Sequence, residues 1–191
     1  MMTTTRLILA VVVSLSIVPA IARAQEEEAV TFAQLVKSAQ HIFVGHVVAV
    51  ESFRADRRGE ARIRTRVTFS IDQKLRGSGV VTVLEFLGGT VGDLTLEVAD
   101  MPRFSVGERY VVFALDGDRW VNPVVGFTQG LLRVSQDARD GTARVLTAAR
   151  APLASVTAIG RTPLRVSRTM SEPMRLPALV DAIRDEMARQ R

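Results

Sequence analysis

The chain contains no cysteine. That excludes disulfides, thiolate zinc sites, a cysteine nucleophile and a lipid-modified N-terminal cysteine. Small exported domains often lean on disulfides because their cores are thin, so a chain of this kind must hold together by packing alone. Aromatic residues make up only 5%, with a single Trp (Trp120) and a single Tyr (Tyr110), both in apolar company that marks them as core. A nucleic-acid face built from basic side chains and stacked aromatics is therefore not expected. Histidine occurs only at His41 and His46. Five residues apart on a strand, the two rings point to opposite faces and do not form a metal pair. Lysine is confined to Lys37 and Lys74, so the basic charge is carried by arginine. No apolar run is long enough to span a membrane, which takes about 20 residues.

What is present is an ordinary globular balance, 47% apolar and 24% charged over 191 residues, the size of one domain. The formal charge is +5, and its excess sits late, with ten Arg against six acidic residues in 137–191. A surplus this mild permits weak polyanion binding without implying it.

The first 24 residues have the three-part layout of a bacterial signal peptide. Arg6 supplies the positive start, Leu7 to Val18 is apolar apart from two serines, and Pro19 ends the helix. Ala22-Arg23-Ala24 then gives the small–x–small pattern of a cleavage site. The expected location is periplasmic or secreted.

Residues 25–30 read as a polar leader. Thr31 with Gln34 has capping-box spacing, and Phe32, Leu35, Val36 and Ala39 recur at helical intervals, so a short helix is expected over 31–40. The period then becomes two. Ile42–Val50 reads as a buried strand. In Arg62–Ile71, Ile63, Val67, Phe69 and Ile71 alternate with Arg62, Arg64 and Arg66, a half-buried strand, with Phe53–Glu60 as the turn between the two. Further strands are expected at Val80–Phe86, Leu94–Val98, Tyr110–Leu115, Trp120–Val125, Leu131–Val134 and Ala143–Leu146. Asp116-Gly117-Asp118 and Asp140-Gly141 mark hairpins. Residues 150–175 read as a loosely packed connector. Leu176, Leu179, Val180, Ile183 and Met187 mark a C-terminal amphipathic helix over about 176–189, with Pro177 in its first turn. The fold expected is mostly β (β+α): a small OB-like antiparallel barrel or sandwich over 31–149, with a short N-terminal helix and the C-terminal helix over 176–191.

No catalytic or metal motif is present. Gly77-Ser78-Gly79 is a turn rather than a nucleophile elbow. Gly88-Gly89 and Gly92 lack the Lys and helix of a phosphate cradle. Asp93, Asp100, Asp116 and Asp118 have no calcium-loop spacing. No catalytic residue, cofactor or metal ligand is assigned. The one candidate site is the stripe Arg62, Arg64 and Arg66, three guanidinium groups on one strand face, about 6–7 Å apart. It is either an anion-binding surface or a row neutralised by a neighbouring strand, with Glu85 and Glu97 as candidate partners.

The order Ala39-Gln40-His41-Ile42-Phe43-Val44-Gly45-His46-Val47, then Asp72-Gln73-Lys74-Leu75-Arg76-Gly77, then Gly88-Gly89, Met101-Pro102-Arg103-Phe104, Val106 to Phe113 and Val125 to Gly130 carries a likeness. Over about 31–135 the chain resembles a group of uncharacterised secreted bacterial proteins. It also resembles the netrin-like domain shared with tissue inhibitors of metalloproteases. The resemblance implies an OB-like barrel and binding rather than catalysis. Those inhibitors use an N-terminal cysteine that this chain lacks, so no inhibitory residue carries over.

The expected function is that of an exported, non-enzymatic module binding a protein or an envelope component. The rivals are a periplasmic hydrolase with a dispersed site and a binder of anionic envelope polymer. N-terminal sequencing of the exported protein should find Gln25 first; a secreted chain that retains Arg6 would refute the cleavage site.

Overall fold

The computed structural model of the chain describes residues 29–57, 60–116, 121–160 and 172–191. The expected signal peptide, Trp120 with most of the Asp116-Gly117-Asp118 turn, and residues 161–171 of the connector lie outside the described residues. The elements are helix α1 (Phe32–Ser38), strands β1 (His41–Arg57), β2 (Glu60–Arg76), β3 (Val81–Leu87), β4 (Gly89–Val91), β5 (Leu94–Leu96), β6 (Arg109–Ala114), β7 (Leu131–Gln136) and β8 (Ala143–Leu146), and helix α2 (Leu176–Arg189). The fold is mostly β, as the periodicity predicts. A six-stranded antiparallel sheet has the order β3-β2-β1-β6-β7-β8, and β4 and β5 form a small second sheet.

Both helix predictions match the structure closely. Thr31 caps α1 through a full capping box with Gln34. In α2, Pro177 occupies the first turn, and Leu176, Leu179, Val180 and Ile183 are the buried stripe.

The central strands are buried on both faces. On one face Ile42 and Val44 of β1, Val111 and Phe113 of β6, Leu132 of β7 and Val145 of β8 pack against Leu35 and Val36 of α1 and the buried stripe of α2. On the other face Phe43, Val47, Val67, Phe69, Leu84, Phe86, Tyr110 and Val112 form a second core, partly lidded by Met101 and Phe104. This explains why 42–47 and 110–114 read as continuous apolar runs: a strand covered on both sides has no polar face.

The sheet curls without closing on itself among the described residues. Segment 121–125 lies beside the end of β6 through Leu115 N–H to Pro123 O (2.8 Å) and Val125 N–H to Phe113 O (2.9 Å). It touches the end of β3 through one bond, Leu87 N–H to Val121 O (2.9 Å).

Four expectations are corrected. Phe53–Glu60 is not a turn, because β1 runs to Arg57 and β2 starts at Glu60, with register continuous to Arg57↔Glu60. Cross-strand pairs such as Glu51↔Arg66 and the Arg66 guanidinium over the Phe53 ring (4.6 Å) let polar residues extend the ribbon. Val121–Val125 is no strand and makes one isolated bridge, Ala114↔Val124. The strand expected over Leu94–Val98 is the three-residue β5, ending at Leu96, and Leu94 is exposed. The connector is not loosely packed where it is described, since Leu153 and Ile159 are buried in the core under the helices. Aperiodic apolar residues can still anchor a loop.

Phe69 contacts Phe43, Phe104 and Tyr110 edge-on at 5.6–6.3 Å between centroids. Phe69→Ala is expected to lose about 3–5 kcal/mol in a denaturant titration, the usual cost for a buried Phe. Thr68→Ala, on the opposite face, is expected to change stability by less than about 0.5 kcal/mol. Equal losses at both positions would mean that the register is different.

Candidate functional site

The extended half of the β1–β2 hairpin, the β4–β5 hairpin and loop 97–104 enclose an open cleft of about 400 Å3. It is the mouth of the second core. Phe86, Leu87, Met101 and Phe104 supply apolar wall, with Val50 at the edge; Ser52, Thr65, Thr90 and Thr95 supply hydroxyls, and Glu97 and Arg103 lie at the rim. Phe104 stacks on Phe86 at 4.8 Å between centroids, which fixes the loop against the sheet.

The hydroxyls are already engaged. Thr65 Oγ1 donates to Gly88 O at 2.7 Å. A threonine hydroxyl has one proton, so at the 3.0 Å contact between Ser52 Oγ and Thr65 Oγ1 it is Ser52 that donates. Ser52 Oγ in turn accepts the Thr90 N–H at 3.4 Å. The chain Thr90 N–H, Ser52, Thr65, Gly88 C=O thus runs in one direction and pins the start of β4 on the hairpin. Gly88 and Gly89 have φ of +101° and +130°, and a Cβ at Gly89 would collide with both hydroxyls. Glycine is required at Gly89 by the two hydroxyls and at Gly88 by the Leu96 carbonyl, not by a phosphate. Thr90 and Thr95 bond to each other across β4–β5 (3.0 Å). What faces the open space is consequently apolar wall, one Thr–Thr pair and the exposed Glu97–Arg103 contact at 3.5 Å.

Beside the cleft, Tyr110 and Glu108 form a polar seam at the edge of the second core. Tyr110 Oη donates to Glu108 Oε2 (2.6 Å), the Ser105 N–H donates to the same oxygen (3.1 Å), and Arg133 pairs with Oε1. Burial raises the Glu108 carboxyl, but these donors and the Arg133 charge outweigh it and hold the group below its usual range. Burial, reinforced by the bond to Glu108, pushes the Tyr110 phenol well up, so the phenol stays protonated as a donor.

The arginine stripe is not uniform. Arg62 is exposed and pairs with Glu60 (2.7 Å). Arg66 is exposed and pairs with Glu85, directly opposite on β3 (2.9 Å). Arg64 is buried, 2% exposed, donating to the backbone Glu85 O at 3.1 Å with its Nε 3.5 Å from the Glu85 carboxylate. Of the two partners named from the sequence, Glu85 lies on the stripe, and Glu97 lies at the cleft rim instead.

The histidines fall on opposite faces. His41 contacts Asp116 (2.5 Å). His46 contacts Asp72 (2.8 Å), which also takes Arg109 (2.7 Å), so one carboxylate ties β1, β2 and β6 together. Ser70 stands opposite His46 in the ladder. No hydrogen bond joins the two, and the Asp72 charge is shared with Arg109. Among the described residues no group of three His, Asp or Glu side chains gathers as a metal site.

The cleft residues escaped the sequence reading. Gly88-Gly89 stands out as a rejected phosphate cradle and as part of a likeness, Met101-Pro102-Arg103-Phe104 only as part of that likeness, and Ser52 and Thr65 belong to no motif. The signal that points to them is a Gly-Gly pair next to hydroxyl-bearing strands, with aromatic residues in an aperiodic loop. No protein-family model matches the chain, and no curated protein or solved structure is significantly similar to it.

Thr65→Val keeps the side-chain shape and leaves Gly88 O and the Ser52 proton without partners. It is expected to cost about 1–3 kcal/mol and to accelerate amide exchange in 89–96. Ser155→Ala, which removes an exposed hydroxyl pair with Thr157, serves as control. Equal losses for the two variants would show that the hydroxyl chain holds nothing.

Proposed function

We propose that the protein is an exported, non-enzymatic module that binds a protein or envelope component, and that the ligand places an apolar group in the cleft at the mouth of the curled sheet. The observation that carries this reading is that the cleft hydroxyls are bonded to one another and to backbone, which leaves an apolar wall with a polar rim. Small-ligand sites have that composition, fall in the range of about 300–1,000 Å3, and occur among other places in the mouths of β-barrels. A nucleophile activated by a neighbouring base, the requirement for a hydrolase, has no counterpart among the described lining residues. The strand order β3-β2-β1-β6, with β3 and 121–125 meeting at Leu87 and Val121, supports reading the fold as an incompletely closed OB-like barrel. The signal-like first 24 residues support export.

The test fills the cleft. Val50 lines it and is partly exposed, so Val50→Trp should occupy the space without disturbing the core. The unsubstituted protein should bind the neutral reporter N-phenyl-1-naphthylamine saturably, one to one. Val50→Trp should weaken that binding at least about tenfold, or about 1.4 kcal/mol, and weaken retention of envelope-fraction components in parallel. Reporter binding and retention that are both unchanged in the variant would overturn the cleft as the site.

A further inference from the structure

We propose that the outer edge of β3 is a pairing surface for a second copy of the chain, forming an antiparallel β3–β3 junction centred on Val83. Two backbone bonds fix which groups of β3 face outward. Ile71 N–H donates to Val80 O, so Val80 faces β2, whereas Leu87 N–H donates outward to Val121 O. Alternation along a strand then turns the N–H and C=O of Val81, Val83 and Glu85 away from β2. The opposite end of the sheet is covered: β8 meets the following chain at Arg144↔Arg175 and Leu146↔Pro152. Among the described residues no further strand, proline or bulge guards β3 between Val81 and Glu85, and its one charge, Glu85, is paired with Arg66. Val80-Val81-Thr82-Val83 carries no charge, proline or glycine, and Val80 and Val83 are 76% and 50% exposed.

A second copy is the occupant that fits. The open stretch is short and bounded at both ends, by the Leu87–Val121 bond on one side and the Gly77–Gly79 turn on the other. Two such stretches in antiparallel register about Val83 pair every outward group, Val83 with Val83 and Val81 with Glu85, giving about six backbone bonds. Val83 then packs against its own copy. Glu85 meets no like charge, because it faces Val81 and already carries Arg66 as its cation. The bond from Arg64 leaves the second lone pair of Glu85 O for the incoming N–H.

The experiment is sedimentation of the purified protein over a range of concentrations, with amide exchange read at each end of the range. A reversible dimer is expected, with the Val81, Val83 and Glu85 amides protected only when concentrated, while Thr82 and Leu84 stay protected throughout. Val83→Pro removes an outward N–H and no bond to β2, and Val83→Lys charges the junction. Each should raise the dimer dissociation constant at least tenfold, whereas Val106→Lys, at an exposed valine off the edge, should not. Should the proline variant fail to fold, the lysine variant and the exchange pattern decide. A protein that stays monomeric, or a dimer that survives Val83→Lys with the Val83 amide unprotected, overturns the proposal.

Discussion

Each buried position of β1 between Ile42 and Val47 faces one of two cores. Ile42 and Val44 look toward the helices, and Phe43 and Val47 look toward the concave side. β6 repeats the arrangement with Val111 and Phe113 against Tyr110 and Val112. A one-residue slip between these strands would exchange every side chain between two differently shaped cores. Register here is therefore set by packing on both faces rather than one. Each fully buried apolar side chain contributes about 1.5–3 kcal/mol, so the pair of strands is the part of the fold from which the rest is hung. Its polar fittings follow from it. Tyr110 belongs to the concave core, and its hydroxyl must reach Glu108 because burying a hydroxyl without a partner costs about 1–3 kcal/mol.

Where β6 stops supporting β1, the hairpin changes character. Beyond Val47, whose N–H donates to Glu108 O and whose C=O accepts from the Gly107 N–H, the register shifts and Val48 is left over as an exposed extra residue. From there outward the strands beside the β1–β2 ribbon, among the described residues, are β3 and the β4–β5 hairpin. The cleft is a consequence of this loss of support. The concave core is lined as far as Phe86 and Phe104, but among the described residues no strand continues β6 to cover it, and β4 is held to the ribbon by the Ser52 and Thr65 hydroxyls.

The legible and illegible parts of this fold divide along one line. The capping box at Thr31, the alternation of 63–71, the two-sided strands and the stripe of α2 are local patterns with a fixed period, and each formed where its pattern lies. The span of the β1–β2 ribbon was hidden, because Arg54, Asp56 and Glu60 look like a solvated turn until a partner strand supplies cross-strand pairs. Curvature was hidden as well. Whether six strands close depends on the angle at which β3 meets 121–125, and no residue pattern encodes that angle. The cleft was hidden for the same reason, since Ser52, Thr65, Gly88 and Phe104 come from four separate segments.

Arg64 joins these threads. As the middle member of an alternating row it is indistinguishable in sequence from Arg62 and Arg66. It is the one whose guanidinium lies against β3, reaching the Glu85 carbonyl, and it is buried while Arg62 and Arg66 stay exposed. A buried guanidinium survives only with its charge and donors answered. Glu85 answers the charge, giving its carboxylate to Arg64 and Arg66, and its backbone carbonyl takes one of the Arg64 donors. That carbonyl belongs to the outward-facing row of β3. The residue that neutralises the stripe therefore also presents a carbonyl at the sheet edge, with one lone pair taken by Arg64. The row of three like charges is thus held in different ways at its ends and its centre: exposed pairs with Glu60 at Arg62 and with Glu85 at Arg66, and a buried contact with β3 at Arg64.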